Sequence, residues 1–348
     1  MNFHITKRKL RSIARDLVRW SWLALLLFGC QSEPPGPLHI QFYHWQTVLE
    51  PDSLHYDVLS LSTRQELFVK VADFRWSASG PVTDAELVLA DDDIGYRLQP
   101  VVFITNEVML RLSEVNDNES GLTALAEDIL MAAARSNTTY STYNELQLDC
   151  DWTRGSAKTY FGLLHKLRQL LPSDVRLNCT VRLHQWRDHE DQGIPPVDRG
   201  ILMAYNSGDL EHWKTENSIL DTLISAQYLK PRSTYDLPLD LALPAYRWAA
   251  IYRRNELAYL VDGLTAEALT DTTRFTSLTP NRFEVNRSTY LDGIYCYKGD
   301  LIRLENSDQD RLKTTYDQLL AVVPRFVGQR LFFFRQGSAE KQILDFLE

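Results

Sequence analysis

Apolar residues in this chain fall into two alternating rhythms. Apolar runs, several with a period of two, occupy residues 39–46, 66–74, 98–104, 145–152, 176–184, 200–206, 239–246 and 330–335, and read as eight strands. Spacings of three and four occupy 122–136, 158–171, 217–229 and 309–323, and read as helices; Pro172 stops the second and Pro231 follows the third. Strand followed by helix, repeated this often, predicts a (β/α)8 barrel in one domain over 39–348. Residues 253–307 break the rhythm. Their segments 257–261 and 293–304 look like antiparallel pieces separated by a Thr/Asp/Asn-rich stretch. They predict a small α+β lobe inserted after the seventh strand, too slight to bury a core alone and therefore packed beside the barrel mouth.

One strand carries charge. In Glu145-Leu146-Gln147-Leu148-Asp149-Cys150-Asp151-Trp152, alternation puts Gln147, Asp149 and Asp151 on one face and Leu146, Leu148 and Cys150 on the other. Two carboxylates on a strand this apolar are costly unless they bind, react or pair. Barrel enzymes keep their chemistry at the C-terminal ends of strands, so a reactive pair at the mouth is one reading. A structural pair held by arginine is the other. Two strand rises separate the acids by about 6.5 Å. Like charges that close raise one pKa, which lets a carboxyl hold a proton for general acid work. Asp151, the outermost, is the expected acid/base, with Asp149 orienting it. Glu107, just past the third strand, and Asp73, ending the second, are candidates for a further acid. Arg182 and His184 are expected on the inward face of the fifth strand beside Asn178 and Thr180, where one could pair with Asp151. Trp45, Trp152, Trp186 and Trp248 lie near strand ends, where flat rings either stack on sugars or pack in the core.

Other chemistry finds no support. His184 and His189 with Asp188, Glu190 and Asp191 match no metal spacing and read as a solvated acidic loop. Without a Gly-rich phosphate loop, a Gly-x-Ser-x-Gly elbow or a zinc motif, no metal or cofactor is expected.

Met203-Ala204-Tyr205-Asn206 resembles the Met-x-Tyr-Asp/Asn signature of glycoside hydrolase family 18. Leu243-Pro244-Ala245-Tyr246-Arg247 is similar to that family's Pro-x-Tyr-Gly-Arg segment, and Tyr43 and Trp45 fit its first strand. The resemblance implies a carbohydrate ligand and gives Tyr205 a hydrogen bond to the sugar or a reacting group. Tyr43, Trp45, Gln147, Arg182, His184, Asn206, Tyr246 and Arg247 complete the expected substrate-binding set. The family motif Asp-x-x-Asp-x-Asp-x-Glu falls on Leu146, Asp149, Asp151 and Thr153, so threonine replaces the proton-donating Glu. A threonine hydroxyl does not titrate near neutral pH. Either another group supplies the proton, in a divergent glycoside hydrolase, or the barrel is a catalytically silent glycan-binding or envelope-organising protein. Over most of its length the chain also resembles the uncharacterised bacterial family called domain of unknown function 3142, through Gln147, Asp149 and Asp151 as a Gln-x-Asp-x-Asp strand. That likeness implies a secreted barrel and no particular activity.

Charge and the first thirty residues set the expected address. Residues 1–29 hold six of the 37 basic residues and one of the 46 acids, so the remainder carries 31 against 45, a net of −14. Such a balance disfavours nucleic acid as a partner. Six basic residues precede the apolar run 20–28, which is too short for the roughly 20 residues a spanning helix needs. Leu27-Phe28-Gly29-Cys30 resembles a bacterial lipobox, which implies removal of 1–29 as a signal peptide, lipid on Cys30, and a flexible tether over 30–38. Gln31 after the Cys implies an outer membrane lipoprotein facing the periplasm, or the cell surface, with the membrane contacted through the lipid alone. Cys150, Cys179 and Cys296 are odd in number and lack metal spacing. Packing is expected for Cys150 and Cys179, and a disulfide between them is the alternative in an oxidising compartment. Cys30→Ser should release the protein from the membrane fraction or leave an uncleaved precursor. Detergent partitioning and the mass of the mature N-terminus check this, and unchanged partitioning without a lipid mass would refute it.

Overall fold

The computed structural model describes residues 38–50, 61–62, 65–91, 94–115, 118–139, 141–230, 235–324, 326, 328–335 and 340–347. The expected signal peptide, Cys30 and nearly all of the tether lie outside them.

Eight parallel strands close into a barrel: β1 (His39–His44), β2 (Glu66–Ser77), β3 (Arg97–Ile104), β4 (Glu145–Asp149), β5 (Arg176–Arg182), β6 (Arg199–Met203), β7 (Leu239–Ala245) and β8 (Arg330–Arg335). Each pairs with the next, β8 pairs with β1 over five residues, and β1 meets β2 at Tyr43 opposite Phe68 and His44 opposite Val69. The two-residue period explains the layering. Leu146, Leu148, Leu177, Cys179, Leu241, Leu243, Leu331 and Phe333 face outward into one continuous apolar core with the helices. Tyr43, Phe68, Val101, Ile201, Ala242 and Phe332 fill the interior.

Helices α1 (Asn106–Glu114) and α2 (Asn118–Ala133) follow β3, and α3 (Ala157–Leu170) follows β4. Helix α4 (Thr222–Tyr228) precedes β7, α5 (Gln309–Leu320) precedes β8, and α6 (Glu340–Leu347) follows it. Asp221 caps α4 by accepting from the Leu223 and Ile224 amides, and Asp308 caps α5 by accepting from Arg311. Helix α4 is shorter than the expected 217–229 because tertiary bonds claim the residues before it. The Asn217 side chain donates to the Asn306 carbonyl and accepts from the Leu220 amide, while the Ile219 carbonyl accepts from Asn206. Strand β2 also outruns its expected end at 74. It turns at Gly80, whose φ of +111° suits glycine, and folds back as the antiparallel strand Gly80–Glu86.

The lobe begins at Arg247, six residues before the expected 253, because no turn residue interrupts the chain after β7. Five antiparallel strands run in the order Glu256–Asp262, Arg247–Arg253, Leu301–Asn306, Arg282–Val285 and Phe275–Thr279. Its only helical element is the 3-10 turn Ala266–Leu269. Contrary to the expectation that it is too slight for a core, it buries its own cluster, including Ile251, Phe275, Phe283, Val285 and Ile302, because five paired strands rather than two pieces build it. Leaving from the C-terminal end of β7, it grips the long loop after β6. Arg303 donates to the carbonyls of His212 and Trp213, Glu305 accepts from the Ser218 amide, and the Tyr252 hydroxyl donates to the Leu210 carbonyl at 2.6 Å.

At the opposite end of the barrel, charge is buried. Arg330 donates from Nη1 to Glu145 Oε2 at 2.7 Å and from Nε to Asp240 Oδ2 at 2.8 Å, with rings of Phe68 and Phe332 beside its guanidinium. Burial alone would push the Glu145 carboxyl up, but Arg330 and Arg176 hold it below the usual carboxylate range. Arg330→Met would leave both acids buried without their shared cation. A loss of about 3–5 kcal/mol in unfolding free energy is expected by urea denaturation, and an unchanged midpoint would refute that role.

Candidate functional site

Strand β4 passes through three layers of the barrel interior. Glu145 belongs to the lower charge cluster. Gln147 sits at mid-height, where its amide donates to the Tyr43 hydroxyl at 2.8 Å; both are buried, and burial drives the Tyr43 phenol far up. They form a floor, and neither lines the cavity above them. Asp149 tops the strand, 2% exposed, accepting from Thr180 Oγ1 at 2.6 Å.

That cavity, about 270 Å³, opens among the C-terminal ends of the strands. Trp45, Phe103, Met203, Tyr205 and Phe334 form its apolar walls, and Lys70, Asp73, Asp149, Arg182 and Asn206 supply its polar groups. Burial raises the Asp149 pKa most, and the charges of Asp151 and Asp73 raise it further. Arg182 and Thr180 oppose them without prevailing. Burial thus favours the protonated form of Asp149 more than water does for an ordinary aspartate.

Asp151 is placed differently from the expected shared face. The strand ends at Asp149, so Asp151 lies in the following loop with its side chain 46% exposed. Arg182 clamps it through Nε to Oδ1 at 2.5 Å and Nη2 to Oδ2 at 3.2 Å. Thr153 lies farther out and builds the turn into α3. Its carbonyl accepts from the Ser156 and Ala157 amides, and its own amide donates to Ser156 Oγ at 2.9 Å.

The remaining expected residues divide between the mouth and elsewhere. Tyr205 is buried, stacks on Phe334 at 5.4 Å between centroids, and carries a hydroxyl with no hydrogen-bond partner. Asn206 holds a left-handed backbone, φ +52°, and its side chain accepts from the buried Tyr246 hydroxyl at 2.6 Å. Trp45 stands edge-on to Phe334, with Lys70 Nζ 5.6 Å from its ring. Arg247 turns away and lines a separate cavity of about 650 Å³ under the lobe, with Glu216, Thr265 and Asn281. His184 does not share the inward face with Arg182. Strand β5 ends at Arg182, whose amide donates to Gln185 Oε1, and His184 falls in the helical turn Leu183–Arg187. Burial, helped by Arg182 and Arg187, lowers its pKa.

Glu107 lies in the first turn of α1, exposed and paired with Arg111 at 3.5 Å, and does not line the mouth cavity. Asp73 does, paired with Lys70 at 2.7 Å. Of the four tryptophans expected near strand ends, only Trp45 lines it. Trp152 is fully buried against Tyr160, Trp186 borders another cavity, and the Trp248 indole donates to Glu305. Lys70 and Phe334 were missed. A lysine inside the run Leu67-Phe68-Val69-Lys70-Val71-Ala72 was a readable signal, whereas nothing distinguishes Phe334 from its phenylalanine neighbours. Cys150 and Cys179 are free thiols in the core, so the alternative of a disulfide does not hold. Among the described residues no group of three or more His, Cys, Asp or Glu is placed to hold a metal.

No family profile and no curated protein matches the chain. Solved structures do. A chitinase from Chromobacterium violaceum ATCC 12472 superposes with a TM-score of 0.54 at 10% identity, covering 88% of this chain and 98% of its own. The spore cortex-lytic enzyme SleL from Bacillus megaterium QM B1551 superposes at 0.53 with 9% identity, covering 90% and 75%. At such identities the shared property is the fold, a (β/α)8 barrel.

An ordinary aspartate titrates near 3.9. Because Asp149 is raised, the folded protein holds its proton more tightly than the unfolded chain. The resulting stability is full below the ordinary value and is lost as pH rises through the raised one. Asp149→Asn keeps an oxygen for Thr180 and cannot titrate, so its unfolding free energy should fall less than the parent's from about pH 4 to neutrality. Parallel curves in urea for the two proteins would show that folding leaves the Asp149 pKa unshifted.

Proposed function

We propose that the chain is a divergent glycoside-hydrolase-like barrel that engages an extended carbohydrate at the cell envelope, held there by lipid on Cys30. The observation that carries this reading is the mouth itself. An aromatic wall of Trp45, Tyr205 and Phe334 faces a buried Asp149, whose pKa burial raises, across a cavity open enough to seat one ring with its neighbours outside. Flat aromatic faces with a few convergent polar groups suit pyranose rings better than charged or long apolar ligands. The likeness to a chitinase and to a cortex-lytic enzyme supports a polysaccharide, and the lobe beside the β6 loop supports an extended one. The resemblance to domain of unknown function 3142 and the lipobox support the envelope address.

One observation favours the second reading, a glycan-binding barrel without turnover. Thr153 occupies the proton donor's place and is built into a helix-starting turn, so no small movement restores that acid.

Both readings predict binding at the mouth. The full chain in detergent, titrated calorimetrically with chitin-type, peptidoglycan and exopolysaccharide oligomers, should bind at least one of them. Tyr205 gives the sharper check, because its hydroxyl is buried and unpartnered in the free protein. Tyr205→Phe should leave stability unchanged or slightly raised. It should also weaken oligosaccharide binding about tenfold, as loss of one hydrogen bond of about 1–1.5 kcal/mol would. Equal affinity would place the sugar elsewhere.

A further inference from the structure

Asp73 and Asp149 stand level with each other. In the sheet register Asp73 pairs with Phe103 and Phe103 pairs with Asp149, so the two acids lie two strand spacings apart, about 10 Å between Cα atoms. Both line the same cavity. The Asp73 charge is felt at Asp149 across that cavity, and an acid and a base that activate a water between them stand about 6.5–9.5 Å apart.

Strand β2 is irregular where this requires it. Lys70 and Asp73, three residues apart, would point to opposite faces of a regular strand. A shift in the pairing with β3 between Lys70 and Ala72 brings both into the mouth. There Asp73 Oδ2 is ion-paired to Lys70 at 2.7 Å, while its Oδ1 is buried with no partner, a lone pair left to accept a hydrogen bond from a ligand. A second, independent group points to a ligand in the same space: the unpartnered hydroxyl of the buried Tyr205.

Resting on the proposed function and deepening it, we propose that Asp149 and Asp73 form the catalytic pair, that they replace the acid missing at Thr153, and that a β-linked glycan is cleaved with inversion. Asp149 gives its proton to the glycosidic oxygen as the bond from that oxygen to the anomeric carbon breaks. Water attacks the same carbon from the opposite face and passes its proton to Asp73. Solvent then returns a proton to Asp149 and removes one from Asp73, so the net reaction adds one water across the bond. Arg182, fixed by Asp151, stabilises the charge that appears on Asp149 as its proton leaves. A route through a sugar's own 2-acetamido group would instead retain configuration and would need only one protein acid.

The test uses the full chain in detergent with chitohexaose and peptidoglycan glycan strands as probes. Proton NMR follows the anomer first released, and calorimetry follows binding. The α anomer should appear first. Asp73→Asn and Asp149→Asn should each lose about 10²–10⁴-fold in kcat, with the dissociation constant of Asp73→Asn within about threefold of the parent's. Retained affinity shows that the variant is folded; Lys70→Met/Asp73→Asn, which removes the ion pair whole, repeats the measurement without a stranded lysine. First release of the β anomer, or Asp73→Asn turning over at the parental rate, overturns the pair. A parent that binds the probes without cleaving them overturns the pair and leaves the binding reading standing. A parent that binds neither probe overturns the pair for these glycans, and one that also fails to bind exopolysaccharide oligomers overturns both readings.

Discussion

The barrel depends on one buried cation. Arg330 on β8 reaches across the lower interior to Glu145 on β4 and Asp240 on β7, so three strands far apart in sequence are tied at one height. Arg199 adds a contact to Asp240 at 3.3 Å, and Asn178 one to Glu145 at 2.7 Å. Each charge here is expensive to bury, and only nearly complete partnering makes the cluster tolerable. Its reward is specificity. A slip of one residue in β4, β7 or β8 would send an ionised group into the apolar layer against the helices.

With the lower end fixed, the heights above it follow. Two residues up β4, Gln147 and Tyr43 share a hydrogen bond that closes the interior. Two more residues bring Asp149 to the rim. The mouth acid is buried because the layer beneath it is closely packed, and that burial is what raises its pKa most.

The eight strands were legible because both faces of each are buried, which leaves long apolar runs that no turn interrupts. The alternation in β4 likewise put Gln147 and Asp149 on the inward face. It failed for Asp151 because alternation holds only while the ladder continues, and β4 leaves it after Asp149. The same limit removed His184 from the face of Arg182. The irregularity in β2 was not legible, since a shift in register belongs to the pairing of two strands rather than to either sequence. Arg247 was misplaced for a third reason. The chain runs straight from β7 into the lobe, so the arginine that follows Tyr246 already belongs to a different sheet and turns to a different cavity.

The hold of the lobe on the β6 loop bears on how such a barrel could be remade. The segment from 204 to 221, which carries Tyr205 and Asn206, bonds through its backbone to Arg303, Glu305 and Tyr252 of the lobe and through the Asn217 side chain to the Asn306 carbonyl. Barrels of this kind are usually regarded as scaffolds whose rim loops can be traded one at a time. Here two connections, after β6 and after β7, have become a single inheritable part. A graft that moved either one alone would carry over a loop without its mould, or a mould without its loop.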